Sequence, residues 1–255
     1  AMALLGLVYA QTDQNAAEVL FEDLRGSDEE ARKTAEEKLT LLALEDLENV
    51  LPSLQKGLKD PSPEVRFYCA VVLAVAAYDD EKNAIMLSEA APSLTGALKD
   101  DDARVREAAA GALGLVRPSP PSEAVSALVG VLGDREPKVR KAALEALTSV
   151  QPIDVELVFA ILHAHEDDPS EEVRAEAAKT LARMSANDPD VVWSLTKSLK
   201  SSDHFLRQES IRALGKLGPA AAPAIPELEK IAENPTEDRT VRKYASQALR
   251  KIKGQ

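Results

Sequence analysis

The side chains best suited to chemistry cluster in one short segment, His163-Ala164-His165-Glu166-Asp167-Asp168. On a helix, His163 lies one turn from Glu166 and Asp167, and imidazole and carboxylate groups at that spacing can chelate a divalent metal ion. His204, the remaining histidine, follows in the comparable turn further along the chain. The spacing matches no established metal motif. We therefore expect a solvated helix end with no bound metal.

Cys69 is the single cysteine of the chain. A reactive thiol needs exposure and a cationic neighbour, whereas Cys69 stands where an internal repeat, described below, has small core residues. We expect it to be a buried, unreactive side chain. The sequence also has no glycine-rich phosphate loop, no paired-cysteine metal motif and no Gly-x-Ser-x-Gly. The sequence therefore predicts neither a cofactor nor a catalytic group.

Seven arginines recur along the chain at steps of 34, 40, 34, 34, 33 and 35 residues. They are Arg32, Arg66, Arg106, Arg140, Arg174, Arg207 and Arg242. Such a row of guanidinium groups could bind an anionic ligand. A structural alternative is a ladder, in which each arginine pairs with an aspartate of its own or the adjacent repeat. The aspartates stand six residues upstream and are Asp60, Asp100, Asp134 and Asp168.

Recurrence of the aspartate with the arginine favours the ladder over a ligand site. In the first, sixth and seventh copies the aspartate is replaced by Gly26, Ser201 and Thr236. We therefore expect the arginines of those copies to lack a ladder partner. They are Arg32, Arg207 and Arg242.

The residue before each arginine begins a repeated apolar pattern. With that residue as position 0, position 4 is small, position 8 is leucine and position 11 is apolar in every copy. These positions lie on one face of an α-helix. A second leucine pair, eleven and seven residues before position 0, recurs in most copies and predicts a preceding amphipathic helix. Each copy is therefore a helical hairpin, which must stack on its neighbours to bury its apolar stripe.

Proline in the first helix, aspartate in the turn and arginine at the start of the second helix together resemble the HEAT repeat family. The prolines are Pro52 and Pro92. The short period is most similar to the HEAT-like repeats of bacterial proteins, including those of phycobilisome (bilin) lyases. A 34-residue period is also that of tetratricopeptide repeats, but their tryptophan, glycine and tyrosine signature is absent.

The resemblance implies an all-α fold, a right-handed α-solenoid (α-α superhelix) of about seven HEAT-like helical hairpins. We expect one repeat domain over residues 15–255, with the second helices on its concave face. About six extra residues separate Arg66 from Arg106, and we place them in the loop from Asp79 to Asn83.

Residues 1–14 form a separate, mostly apolar segment. It is either a cap on the first repeat or the remnant of a signal peptide, since it lacks the length and positive charge of a complete one. Both a cytoplasmic and an exported protein therefore remain open. No other segment is long and apolar enough to span a bilayer.

Composition narrows the class of partner. The 255 residues are 29% charged and 4% aromatic, with a formal net charge of −12. Nucleic-acid binding needs a basic excess that this chain lacks. We expect a monomer that binds a basic or neutral protein.

Positions 2 and 6 of each second helix should point outward along the concave face. Only the second repeat is apolar at both, with Phe67 and Val71, and Tyr68 is adjacent. An exposed aromatic cluster on a polar surface is typical of a binding anchor. The alternative is that the six-residue insertion or the N-terminal segment folds over the cluster and buries it. The predicted partner-binding residues are Phe67, Tyr68, Val71, Glu107, Lys141, Lys179, Arg212 and Lys243.

The predicted function is that of a scaffold or adaptor that binds a partner protein on this face, without catalysis of its own. The alternative is an enzyme or enzyme subunit of the bilin lyase-like HEAT type. The repeat alone does not distinguish the two, because one fold hosts many functions.

Overall fold

The computed structural model describes residues 16–187, 189–201 and 204–254. Within these ranges the regular structure is helical, with no strand. The predicted all-α fold of HEAT-like hairpins is therefore confirmed. The N-terminal segment, residues 1–14, lies outside the described residues.

The helices form two compact units, the first ending at Gln151 and the second beginning at Pro152. The first unit contains α1 (residues 16–25), α2 (Glu29–Glu45), α3 (Leu47–Gly57), α4 (Pro63–Tyr78), α5 (Glu81–Met86), α6 (Ala91–Ala97), α7 (Ala103–Leu113), α8 (Ser122–Val131) and α9 (Pro137–Leu147). The second unit contains α10 (Val155–Asp167), α11 (Glu171–Asn187), α12 (Pro189–Ser198), α13 (His204–Leu217), α14 (Ile225–Glu233) and α15 (Arg239–Ile252).

Short polar turns start the second helix of each hairpin. Asp28, Asp102 and Asp238 are N-cap residues whose carboxylates accept backbone N–H groups of the first helical turn. Pro63 and Pro137 instead occupy the first turn of α4 and α9. Proline is tolerated there because backbone N–H groups of the first turn have no partner within the helix. The helix starts therefore follow directly from the turn residues.

The positions predicted to form the core are buried. Position 0 is a fully buried valine in five second helices, Val65, Val105, Val139, Val173 and Val241. Position 8 is a fully buried leucine in five copies, Leu39, Leu73, Leu113, Leu147 and Leu214. Leu249, in the last described helix, is only half-buried. Burial of each such side chain stabilises the fold by about 1.5–3 kcal/mol.

The extra residues between the second and third repeats form a helix, so the prediction of a loop there was wrong. Asp80 caps α5 by accepting from the backbone N–H of Asn83. The Asn83 side chain is buried and donates to the carbonyl of Ala76, 3.0 Å away. An aspartate such as Asp80 is a helix start signal when residues that can form a helix follow it. The segment that follows Asp80 is long enough for more than one helical turn.

Neighbouring second helices approach closely where α7 ends. A Cβ atom placed on Gly114 would lie 2.7 Å from the Cα atom of Ala146 in α9 and 3.0 Å from its Cβ atom. Only glycine fits a gap of that size without a shift of backbone. This contact holds α7 and α9 side by side and continues the surface that the second helices form.

Candidate docking surface

The arginine ladder connects consecutive repeats within the first unit. Arg106 in α7 donates from Nε and Nη2 to the two carboxylate oxygens of Asp134, at 2.7 and 2.9 Å. Arg66 makes the same bidentate contact with Asp100, at 2.6 and 2.8 Å. The third nitrogen, Nη1, donates to a backbone carbonyl of the arginine's own turn, that of Asp100 for Arg106. Bidentate arginine–carboxylate pairs are strong and directional.

The ladder aspartates also shape their own turns. One oxygen of Asp100 accepts the backbone N–H of Asp102, and one oxygen of Asp134 accepts that of Glu136, each at 2.9 Å. An aspartate that bonds the backbone two residues on stabilises a turn. Each aspartate therefore fixes its own turn and the arginine of the preceding repeat, which accounts for the recurrence of both residues structurally.

Charge pairing decides the ionisation of these aspartates. Burial, the largest single influence, acts to raise the pKa of Asp134. The hydrogen bonds from Arg106 and from the backbone N–H of Glu136, with the positive charge of Arg106, together outweigh burial and hold the pKa below its usual value. Asp100 has a lowered pKa for the same reason, with Arg66 as the donor. Both carboxylates are thus charged whenever the fold is intact near neutral pH.

The prediction that three arginines lack a ladder partner fails for Arg207. Its Nη2 atom lies 3.2 Å from Glu237 in the turn of the seventh repeat. Because the carboxylate comes from the following repeat, the residue six positions upstream of an arginine does not determine its pairing. Arg242 has a buried Nε atom with no hydrogen-bond partner among the described residues.

Arg25, at the end of α1, was missed as a ladder residue. It bridges both oxygens of Asp60, whereas Arg32 donates to the carbonyl of Gly26 at 3.2 Å. The ladder arginine of the first repeat is thus replaced by a neighbour on the preceding helix. The repeat alignment gave no signal for this exchange, because Arg25 lies outside the repeated positions.

The predicted aromatic anchor is half-buried. Phe67 meets Tyr68 edge to face, with ring centroids 5.1 Å apart, and the guanidinium of Arg104 lies 5.5 Å from the Phe67 centroid. Val71 is also half-buried. Arg104, from the start of α7, covers part of the ring and contributes a cation–π contact.

The polar members of the predicted surface lie outside the core, as their positions indicated. Glu107 and Lys141 are half-buried, and Lys179 is exposed. Lys179 pairs with Glu176 at 2.8 Å. Arg212 and Lys243 are exposed on the second helices of the second unit.

An exposed apolar ridge extends the anchor along α4 and onto α2. Val75 and Tyr78 are 43% and 72% exposed, and with Phe67 and Val71 they follow one helix face at steps of four, four and three residues. Leu41 and Leu44 occupy the equivalent positions 10 and 13 of α2 and are 57% and 53% exposed. The outward-facing positions predicted from the sequence ended at position 6, so Leu41, Leu44 and Val75 were not among the predicted partner-binding residues.

Leu44, Val75 and Tyr78 of the ridge line a groove of about 560 Å³ in the first unit. Its walls come from the ends of three consecutive second helices and the turns that follow them. The lining residues are Leu44, Ala74, Val75, Ala76, Tyr78, Asp79, Asp80 and Leu115. An exposed apolar concavity with two carboxylates at its edge has the form of a docking site.

Comparison with known proteins identifies the repeat. A sequence profile of HEAT repeats matches residues 17–114, 91–156 and 155–250. The matches span both units and include every ladder arginine described above. The chain belongs to the HEAT repeat family. No curated protein sequence matches this HEAT-repeat protein.

Solved structures support the same fold for the HEAT-repeat protein. The archaeal HEAT-like repeats protein from Thermococcus onnurineus NA1 is 16% identical, with a TM-score of 0.51, over 93% of this chain and 97% of that one. A designed armadillo repeat protein in complex with the peptide (KR)4 is 23% identical, with a TM-score of 0.53, over 91% and 98%. The phycocyanin lyase complex of CpcE and CpcF from Nostoc sp. PCC7120 is 22% identical, with a TM-score of 0.50, over 92% and 94%. Identities this low establish the fold alone.

The histidine segment of the HEAT-repeat protein is a helix end. The Nδ1 atom of His163 lies 2.9 Å from Asp167, and that of His165 lies 3.0 Å from the carbonyl oxygen of Arg174. The side chains of Glu166 and His204 lie outside the described part. Among the described residues, no group of three or more His, Cys, Asp or Glu is placed to hold a metal ion; the absence of a bound metal stays a prediction.

Two further properties of the HEAT-repeat protein concern its core and its helices. Cys69 is buried, and burial raises the pKa of its thiol, so it is the inert core residue that its repeat position predicted. In the described ranges, no helix combines the length and apolar character that a bilayer span requires.

Proposed function

We propose that this HEAT-repeat protein is a binding scaffold whose protein partner docks on the second-helix face of the first unit. The observation that carries the proposal is the exposed apolar ridge with its groove of about 560 Å³. The chain is acidic and only 4% aromatic, so a cluster of exposed large apolar side chains is unusual on its surface. Large exposed apolar patches are typical of interaction sites.

The groove favours a partner segment with apolar anchors next to basic residues. Leu44, Val75 and Tyr78 provide apolar contact, and Asp79 and Asp80 stand at the edge with negative charge. The net charge of −12 adds long-range attraction for a basic partner. A designed armadillo repeat protein of similar fold was solved with the peptide (KR)4, a precedent for basic peptides on stacked helical repeats.

Catalysis is not part of the proposal. The likeness to the phycocyanin lyase complex extends to the fold only, and folds host unrelated functions. The polar side chains described at the groove are carboxylates at its rim, and the ladder arginines are engaged in holding the repeats together. The surface is therefore suited to binding.

A leucine–lysine peptide tests the docking groove. The probe is a short, fluorescently labelled amphipathic peptide of leucine and lysine, and binding is followed by anisotropy. Val75→Asp places a charge in the apolar wall and should weaken binding by about tenfold or more. The melting temperature should stay close to that of the unmodified protein, because Val75 is 43% exposed.

The matched control is Ile85→Asp, which introduces the same charge at a 52% exposed apolar residue that does not line the groove. It should leave the affinity unchanged. An affinity that neither variant lowers, or equal affinity for a peptide of lysine alone, would show that the attraction is electrostatic and diffuse, because each variant adds a negative charge that attracts lysine. Either result would exclude the groove as the docking site.

A further inference from the structure

A second concavity lies between α13 and α15 in the second unit. It has a volume of about 240 Å³ and lies on the second-helix face, at positions 6 and 10 of both helices. Its lining residues are Ile211, Arg212, Gly215, Lys216, Tyr244, Gln247, Ala248 and Lys251. Its floor is the close contact of the two helices, where a Cβ atom on Gly215 would lie 3.1 Å from the Cα and Cβ atoms of Ala248.

The charge around this concavity is opposite to that of the whole chain. Three cationic residues lie in α13 and five in α15, whereas Glu209 is the only acidic residue in the two helices. The chain as a whole has 43 acidic and 31 basic residues. Three of these cations, Arg212, Lys216 and Lys251, converge on one concavity.

Helix electrostatics accounts for only part of this pattern. Lys216 and Lys251 stand in the last turns of their helices, where a positive charge stabilises the helix dipole. Arg212 stands in the middle of α13, where the dipole gives no such preference. Arg212 and Lys216 also interact within the protein, but the helix dipole does not account for the position of Arg212 with the two lysines beside Tyr244 and Gln247.

We propose that this concavity binds a phosphate monoester. A monoester has a charge of about −1.5 to −2 at neutral pH and three acceptor oxygens. Its charge is opposite to that of the three cationic side chains that line the concavity, and Tyr244 and Gln247 add polar groups to the lining. A guanidinium binds phosphate oxygens in a bidentate manner, and lysine adds compact positive charge. This site is separate from the docking groove of the first unit and does not depend on it.

The proposal is tested with Lys251→Gln and its neighbour Arg250→Gln. Both variants remove one exposed positive charge from α15, but only Lys251 lines the concavity. Lys251 is preferred to Arg212 and Lys216, which also interact within the protein. Binding of a phosphoserine peptide, measured by titration calorimetry, should weaken by about tenfold in Lys251→Gln and should not change in Arg250→Gln. Melting temperatures of both variants check that the fold is retained.

Two further probes identify the source of the phosphate group. Inorganic phosphate that binds as tightly as the phosphoserine peptide would assign the site to a small anion, whereas tighter binding of the peptide would assign it to a modified protein. Equal weakening by both variants would overturn the proposal. So would equal binding of the unphosphorylated peptide, or a tighter complex with a single-stranded oligonucleotide, because either would indicate general charge attraction.

Discussion

Gly114→Ala is expected to lower the free energy of unfolding by about 1–3 kcal/mol. The added methyl group would lie 2.7 Å from the Cα atom of Ala146, so the backbone of α7 or α9 must shift. A backbone atom cannot rotate away as a flexible side chain can. The conformation of Gly114 is itself open to alanine, with φ at −66°, so the destabilisation comes from the contact between helices.

Gly111→Ala provides the matched control one turn earlier in the same helix. No atom lies within 4 Å of a Cβ placed there, and alanine is the better helix former, by about 0.8–1 kcal/mol. Urea denaturation should therefore move the two midpoints in opposite directions, down for Gly114→Ala and up for Gly111→Ala. A shift of the same sign for both would show that α7 and α9 are not packed as described.

Arg106→Ala should destabilise the protein by about 3–5 kcal/mol, because it leaves the Asp134 carboxylate buried without its partner. The side chains of Arg106 and Asp134 are 7% and 11% exposed. Arg242→Ala is the comparison, since Arg242 holds the same repeat position and its Nε atom has no partner within the described ranges. Arg242→Ala should lower the free energy of unfolding by much less than Arg106→Ala. Equal denaturation midpoints would contradict a structural role for the ladder.

The ladder also predicts a pH dependence, measured with Asp134→Asn. The pKa of Asp134 in the folded state is below its usual value of 3.8. The stabilisation is therefore complete above the ordinary pKa and is lost as the pH falls through the folded-state value. The difference in unfolding free energy between the protein and Asp134→Asn should be constant near neutral pH and shrink below about pH 4. A difference that persists at lower pH would count against charge pairing.

The core could be predicted from sequence because its pattern is local. Val105 and Leu113 are two turns apart on one helix, so their shared face follows from helical geometry alone. Both are fully buried. The same reasoning located α7 and α6, the two helices of one hairpin. The leucines and the turn residues that define these helices lie within a single repeat.

Pairing between repeats was harder to predict, because sequence spacing does not show which neighbour supplies a side chain. Arg106 pairs with Asp134 of the next repeat, although Asp100 of its own turn was an equal candidate. Arg25, which lies outside the repeated positions, pairs with Asp60. Such choices depend on how helices stack, which a single repeat does not encode.

The groove was missed for a related reason. Leu44, Val75 and Leu115 belong to three different repeats, and no single repeat contains more than part of the site. Leu44 and Val75 are ordinary exposed apolar residues in their own helices, and Leu115 is half-buried in the turn after α7. Only the stacking of the hairpins brings the three together beside Asp79 and Asp80.

Photo-crosslinking tests directly whether a partner docks on the second-helix face of the first unit. The leucine–lysine peptide is prepared with one photoreactive leucine, irradiated with the protein, and the adducts are located by mass spectrometry. We expect adducts at the ends of α2 and α4, around Leu44 and Tyr78, and we expect Val75→Asp to abolish them. Adducts confined to the first helices, such as α3 and α6, or adducts unchanged by Val75→Asp would contradict docking on this face.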